Sequence, residues 1–131
     1  MKKNIIIALA LLLLSVTAFA GENVNAEKLS VAKDAYKASL KSDNAGVRNS
    51  ALLQIVVVAS NYPEFNARAL ESDLNRMSKR DDVPYIRVNA KIALDLLNNA
   101  DWLKSLNTDE NDPKVFFNNA YTTMNNMYAV N

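Results

Sequence analysis

Between positions 27 and 41 apolar residues recur three and four apart, at Leu29, Ala32, Ala35, Tyr36 and Leu40, with Lys28, Lys33, Asp34, Lys37 and Lys41 among them. This spacing predicts an amphipathic surface helix, apolar on one side and charged on the other. Ser42, Asp43, Asn44, Ala45 and Gly46 then form a turn cluster, whose Asp and Asn side chains can accept hydrogen bonds from the free amides of a following helix. From 51 to 59 the pattern changes, and Gln54 is the only polar residue. A segment without a wet face must be surrounded by other elements, so the rest of the chain is expected to pack around this one. Its β-branched stretch, 52–58, also suits a buried strand, which periodicity alone does not separate from a buried helix. Helix is the favoured reading, because the segment runs without a breaker from 47 to 60, longer than an ordinary strand, and no second strand-like stretch exists to pair with it.

Asn61, followed three residues later by Glu64, resembles a capping box, and Pro63 would stand in the first turn of the next helix, where a missing N–H costs nothing. That helix would carry Phe65, Leu70, Leu74 and Met77 inward and end in the charged run Lys79, Arg80, Asp81 and Asp82. Pro84 opens another helix, with Ile86, Ala90, Leu94 and Leu97 as its apolar stripe and Arg87, Lys91, Asp95 and Asn98 as a polar one. A short apolar piece at 101–106, expected to form one or two helical turns, and a polar loop at 107–112 follow. Asp112 and Pro113 are a strong start signal for a last helix, with Phe116, Phe117, Ala120, Tyr121, Met124, Met127 and Tyr128 on one side and Asn118, Asn119, Thr122, Asn125 and Asn126 on the other.

The first twenty residues read differently. Lys2 and Lys3 precede an uninterrupted apolar run at 5–14, and Ala18 and Ala20 place small residues where a signal peptidase cuts. The run is about half the ~20 residues of a membrane span, so a cleaved export signal at 1–20 is expected rather than an anchor, with membrane contact only in transit. The remaining 21–131 make one domain, periplasmic or extracellular. Of 15 basic and 14 acidic residues, setting aside Lys2 and Lys3 leaves 13 and 14, a net charge of −1. That balance provides no electrostatic footprint for nucleic acid. With no Cys there are no disulfides, and stability must come from packing. Lacking His as well, the chain has neither the usual general base nor the usual zinc ligands, and no enzyme activity, metal or cofactor is expected. The acidic cluster Asp109, Glu110, Asn111 and Asp112 lacks the turn glycine and later bidentate Glu of a calcium loop, and reads as a solvated loop whose last Asp caps a helix.

One pattern occurs twice. Asp43, Val47, Arg48 and Ala51 are matched in type by Asp82, Ile86, Arg87 and Ala90, at an offset of 39 residues. A period near 40 with two helices per unit marks a helical solenoid. With Leu40 ahead of the Asp, the first copy resembles the HEAT-repeat family, and the resemblance covers about 27–99. Asp112, Phe116 and Ala120 keep a third copy, but Phe117 stands at the position of the arginine, which suggests a terminal cap. The resemblance implies an all-α fold, a short α-solenoid of two HEAT-like hairpins plus a C-terminal capping helix. It also implies that Asp43 with Arg48, and Asp82 with Arg87, register one hairpin on the next. As exposed pairs these would contribute about 0–1 kcal/mol each.

HEAT-like solenoids generally present a face to another protein, which makes a small exported, non-catalytic scaffold or interaction module the leading expectation. The face expected to bind is the stripe Arg87, Lys91, Asp95 and Asn98, with self-association of the chain a further option. The aligned positions in the first unit, Leu52, Val56 and Ala59, are apolar. If uncovered, they would form a groove, and the alternative is a carrier for an apolar ligand or peptide beside the central helix. The aromatic side of the last helix is expected to close the open end of the stack rather than to dock a partner.

Overall fold

The computed structural model describes residues 24–130; the expected export signal lies outside them. Among the described residues there are six α-helices and no strand: α1 Ala26–Ser39, α2 Ala45–Asn61, α3 Glu71–Arg80, α4 Pro84–Leu97, α5 Ala100–Ser105 and α6 Pro113–Val130. A single 3-10 turn, Ala67–Leu70, leads into α3.

The central helix is α2. Eight of its residues are buried, Arg48 among them, and α1, α4, α5 and α6 all pack against it. Leu52, Ile55 and Val56 have no exposed surface at all. The apolar groove that would open if Leu52 and Val56 were uncovered is therefore absent at those positions. Asn44 starts the helix, its Oδ1 accepting from the N–H groups of Gly46 at 2.8 Å and Val47 at 3.2 Å. Ahead of it, α1 buries Leu29, Ala32, Ala35 and Tyr36 on the side its spacing indicated, and Leu40 follows as its C-cap.

After α2 the chain departs from the expected capping box. Asn61 is the last residue of α2 instead of the first cap of α3, and the helix ends as the Tyr62 N–H bonds to the Val58 carbonyl at 2.9 Å. Tyr62 precedes Pro63, and the proline ring disfavours helical backbone there, so Tyr62 is extended and Pro63 lies in a turn. Phe65 is thus buried from a loop, edge to face with Tyr36 at 6.2 Å.

Helices α3 and α4 form the most extensive helix pair, and α4 also packs along α2. Because α4 is covered from two sides, its buried arc is wider and rotated from the expected stripe. Ile86, Ala90, Ala93 and Leu96 are fully buried and Ile92 nearly so, whereas Leu94 and Leu97 are half-exposed. Asn89 lies within this arc, and its amide Nδ2 donates to Asn49 Oδ1 of α2 at 2.9 Å, so a polar group in the interface is satisfied. Short helix α5 is capped by Asn99 and tied to the end of α2 by the Ser60 hydroxyl, which donates to the Leu103 carbonyl at 3.1 Å. Asp112 caps α6, accepting from the Lys114 N–H at 2.9 Å. Phe116, Phe117, Ala120 and Met124 of α6 are buried, and the helix rests on α2 and α4.

Candidate functional site

The two arginines of the repeated pattern lie in matching local geometry. Arg48 Nη1 donates to the carbonyl of Ser42, six residues earlier, at 2.8 Å, and Arg87 Nη1 donates to the carbonyl of Asp81, also six residues earlier, at 2.6 Å. The turns match too: the Asn44 N–H bonds to Ser42 Oγ at 3.1 Å, and the Val83 N–H bonds to Asp81 Oδ1 at 3.0 Å. All three pairs of positions are 39 apart, so the sequence period is also a period of hydrogen bonding.

Beyond its own turn, Arg48 reaches into the next. Its Nε and Nη2 donate to the two carboxylate oxygens of Asp81 at 3.0 and 3.1 Å, and Nη2 donates also to Asp82 Oδ1 at 3.0 Å. The acidic partner is thus chiefly Asp81, with Asp82 on the rim. Asp43, expected to pair with Arg48, is exposed and makes no ion pair with it among the described residues. Nor does Arg87 pair with Asp82; it takes the Asp81 carbonyl. The reason is geometric: a guanidinium already bonded to the backbone of its own turn presents its remaining edge to the neighbouring turn, and two parallel N–H groups fit one carboxylate. Nor is the bridge an exposed one, since the side chains of Arg48 and Asp81 are 10% and 6% exposed.

Burial by itself would raise the pKa of Asp81. The hydrogen bonds and charge of Arg48 and the N–H of Val83 outweigh that, and the carboxyl is held below its ordinary value of 3.8. A carboxyl with a lowered folded pKa adds stability that is fully present above the unfolded value and lost as pH falls through the folded one. Thermal stability is therefore expected to begin falling as pH drops past 3.8 and to continue falling below it. Asp81→Asn should flatten that acid limb while lowering stability at neutral pH; melting curves of both proteins from pH 7 downward read this directly.

The expected binding stripe lies on α4, and the four side chains have different surroundings. Arg87 is half-buried; Lys91 Nζ donates to Asp95 Oδ1 at 2.9 Å one turn on; Asn98 Nδ2 donates to the Leu94 carbonyl at 3.0 Å. Arg87, Lys91 and Asp95 also form one wall of a cleft of about 420 Å³ between α4 and α6. Val88 stands beside them, and Tyr121, Met124, Asn125 and Tyr128 of α6 form the opposite wall. Asn98 is not among the cleft residues.

This arrangement divides the aromatic side of α6. Phe116 and Phe117, four and three residues before Ala120, close the core, with their rings edge to face at 5.2 Å. Tyr121 and Tyr128, seven apart and so on one side of the helix, remain 55% and 67% exposed. Val88 on α4 is 56% exposed. Tyr128 also stacks edge to face on Trp102 of α5 at 5.1 Å, and a second, wider hollow of about 750 Å³ opens between α5 and α6 beside that pair. Sequence spacing assigned every aromatic of α6 to the cap. It missed that two tyrosines offset from the buried stripe are left over once α2 and α4 are covered.

The acidic loop before α6 uses its side chains locally: Asn107 Oδ1 accepts from the Asp109 N–H at 3.0 Å and Glu110 Oε1 from the Asp112 N–H at 2.9 Å. Among the described residues no group of three or more His, Cys, Asp or Glu is placed to hold a metal ion, and no helix is long and apolar enough to cross a membrane. Set against protein-family models, characterised proteins and solved structures, the chain matches none.

Proposed function

We propose that this protein is a small exported interaction module, without catalysis, built on two HEAT-like hairpins, α1 with α2 and α3 with α4, and closed by α6. The solenoid reading is supported by the equal hydrogen bonding of Arg48 and Arg87 to their own turns and by the packing of α2 along α4. The functional reading rests on one observation: Arg87, Lys91 and Asp95 of the polar stripe of α4 and the two exposed tyrosines of α6 line a single cleft. Half-exposed tyrosine is well suited to recognition, since it offers a large rigid apolar ring and a hydroxyl at little cost in side-chain entropy. A folded partner or peptide entering the cleft would cover Val88, Tyr121 and Tyr128 and meet charge at its rim, the composition usual at the centre and edge of a protein interface.

Photo-crosslinking in the native compartment tests this. With the probe at Lys91 in one variant and Tyr121 in another, the same discrete protein adduct is expected from both, and none from a probe at exposed Lys41. Lipid or small-molecule adducts alone at both cleft positions, or no adduct at all, would defeat the interaction reading.

A further inference from the structure

The ligand chemistry of the cleft is suggested by the unequal completion of the two arginines. Arg48 holds its own turn with Nη1 and the carboxylates of the next turn with Nε and Nη2. Arg87, in the same register, holds its own turn with Nη1, yet among the described residues no carboxylate meets its other nitrogens. In the third copy the places of Asp81 and Asp82 fall to Asn111 and Asp112; the first carries no charge, and the second accepts from the Lys114 N–H at the start of α6 and makes no ion pair with Arg87 among the described residues. The nearby acid, Asp95, is engaged by Lys91.

We propose that the cleft between α4 and α6 binds an acidic, aromatic-bearing segment of a partner protein, with an Asp or Glu carboxylate on Arg87 as Asp81 sits on Arg48, and a neighbouring apolar side chain against Val88 and Tyr121. The inference rests on the interaction reading above and adds the chemistry of the partner. Charge complementarity carries it, with a template inside the same molecule: two N–H groups on one guanidinium edge match two carboxylate oxygens, and the match is stronger beside an apolar wall than in open water. An extended segment spaces alternate side chains about 6.5–7 Å apart, which lets one chain reach the arginine and the tyrosine together.

A displayed library of random twelve-residue peptides, selected on the purified protein, is the direct test. Enriched peptides are expected to carry Asp or Glu within a few positions of Phe, Tyr or Trp. Synthetic copies should lose about tenfold or more in affinity on Arg87→Gln, and a comparable amount on Tyr121→Ser, which removes an exposed ring and leaves the fold intact. Neither loss should follow Arg80→Gln, a charge change outside the cleft. Melting curves of the variants separate lost binding from lost folding. Enriched peptides without acidic residues, displaced by Val88→Asp but indifferent to Arg87→Gln, would overturn the acidic assignment while keeping the cleft as an interaction site. Failure to enrich any cleft-dependent peptide would overturn the assignment too. Self-association in sedimentation that disappears on Arg87→Gln would instead give the cleft to a second copy of this chain.

Discussion

Val56→Asp is expected to abolish cooperative folding at room temperature or lower the melting temperature by tens of degrees. Val56 has no exposed surface, and α2 is covered by four other helices. A carboxylate there would have neither water nor a cation to meet, at a cost of about 4 kcal/mol or more. Against a total stability of about 5–15 kcal/mol for a domain of this kind, that is a large fraction or the whole. Val31→Asp is the matched control. It makes the same chemical change on α1 at a side chain 61% exposed, and should shift stability by no more than about 0.5 kcal/mol. Thermal and urea unfolding followed by circular dichroism distinguishes the two, and a Val56→Asp protein that melts like the wild type would remove α2 from the centre of the fold.

The second large effect is expected at Arg48. Replacing it with Met leaves the Asp81 carboxylate buried without its guanidinium, which costs about 3–5 kcal/mol. Arg48→Met combined with Asp81→Leu should recover most of that loss, since a buried ion pair is close in stability to apolar groups of similar volume. Asp82→Asn is expected to cost at most about 1 kcal/mol, because the Asp82 side chain is 88% exposed and its attraction to Arg48 is screened. The Lys91–Asp95 pair on the α4 surface should likewise contribute about 0.3–0.5 kcal/mol. A double-mutant cycle in urea that found Arg48 and Asp81 uncoupled would contradict the bridge between the two turns. The same bridge is the physical content of the repeat: a buried, bidentate contact permits one spacing of the second turn relative to the first, whereas apolar packing tolerates small shifts.

Much of the fold was legible because it depends on local rules. The inward positions of α1 followed from spacing, the central place of α2 from its nearly unbroken apolar run, the short α5 from its apolar piece, and the start of α6 from Asp112 and Pro113. Local rules also misled, along α4, where Leu94 and Leu97 belong to the expected apolar stripe but are only partly buried, and at the end of α2. Asn61 and Glu64 have the spacing of a capping box, but α2 itself extends past its apolar run to Asn61, and Pro63 pushes Tyr62 out of helical backbone, so the next helix starts only after the turn at Ala67–Leu70. The arginines were legible as a repeated pair, their partners less so. From sequence, Asp43 and Asp82 were equally good candidates for pairing, and Asp81 was one more charge in a polar run.

What the sequence determined by itself was the set of helices, the buried character of 51–59 and the 39-residue period that places Arg48 and Arg87 in equivalent turns. These are consequences of side-chain spacing and backbone hydrogen bonding within about ten residues, and they hold wherever the helices are later packed. Tertiary structure alone decided which arginine is completed and which is not, how wide an arc of α4 is covered, and that Tyr121 and Tyr128 face the stripe of α4 across a cleft. Each of these depends on the distance between elements far apart in the chain. The area left uncovered after all helices have docked is a property of their assembly, and no single segment carries it.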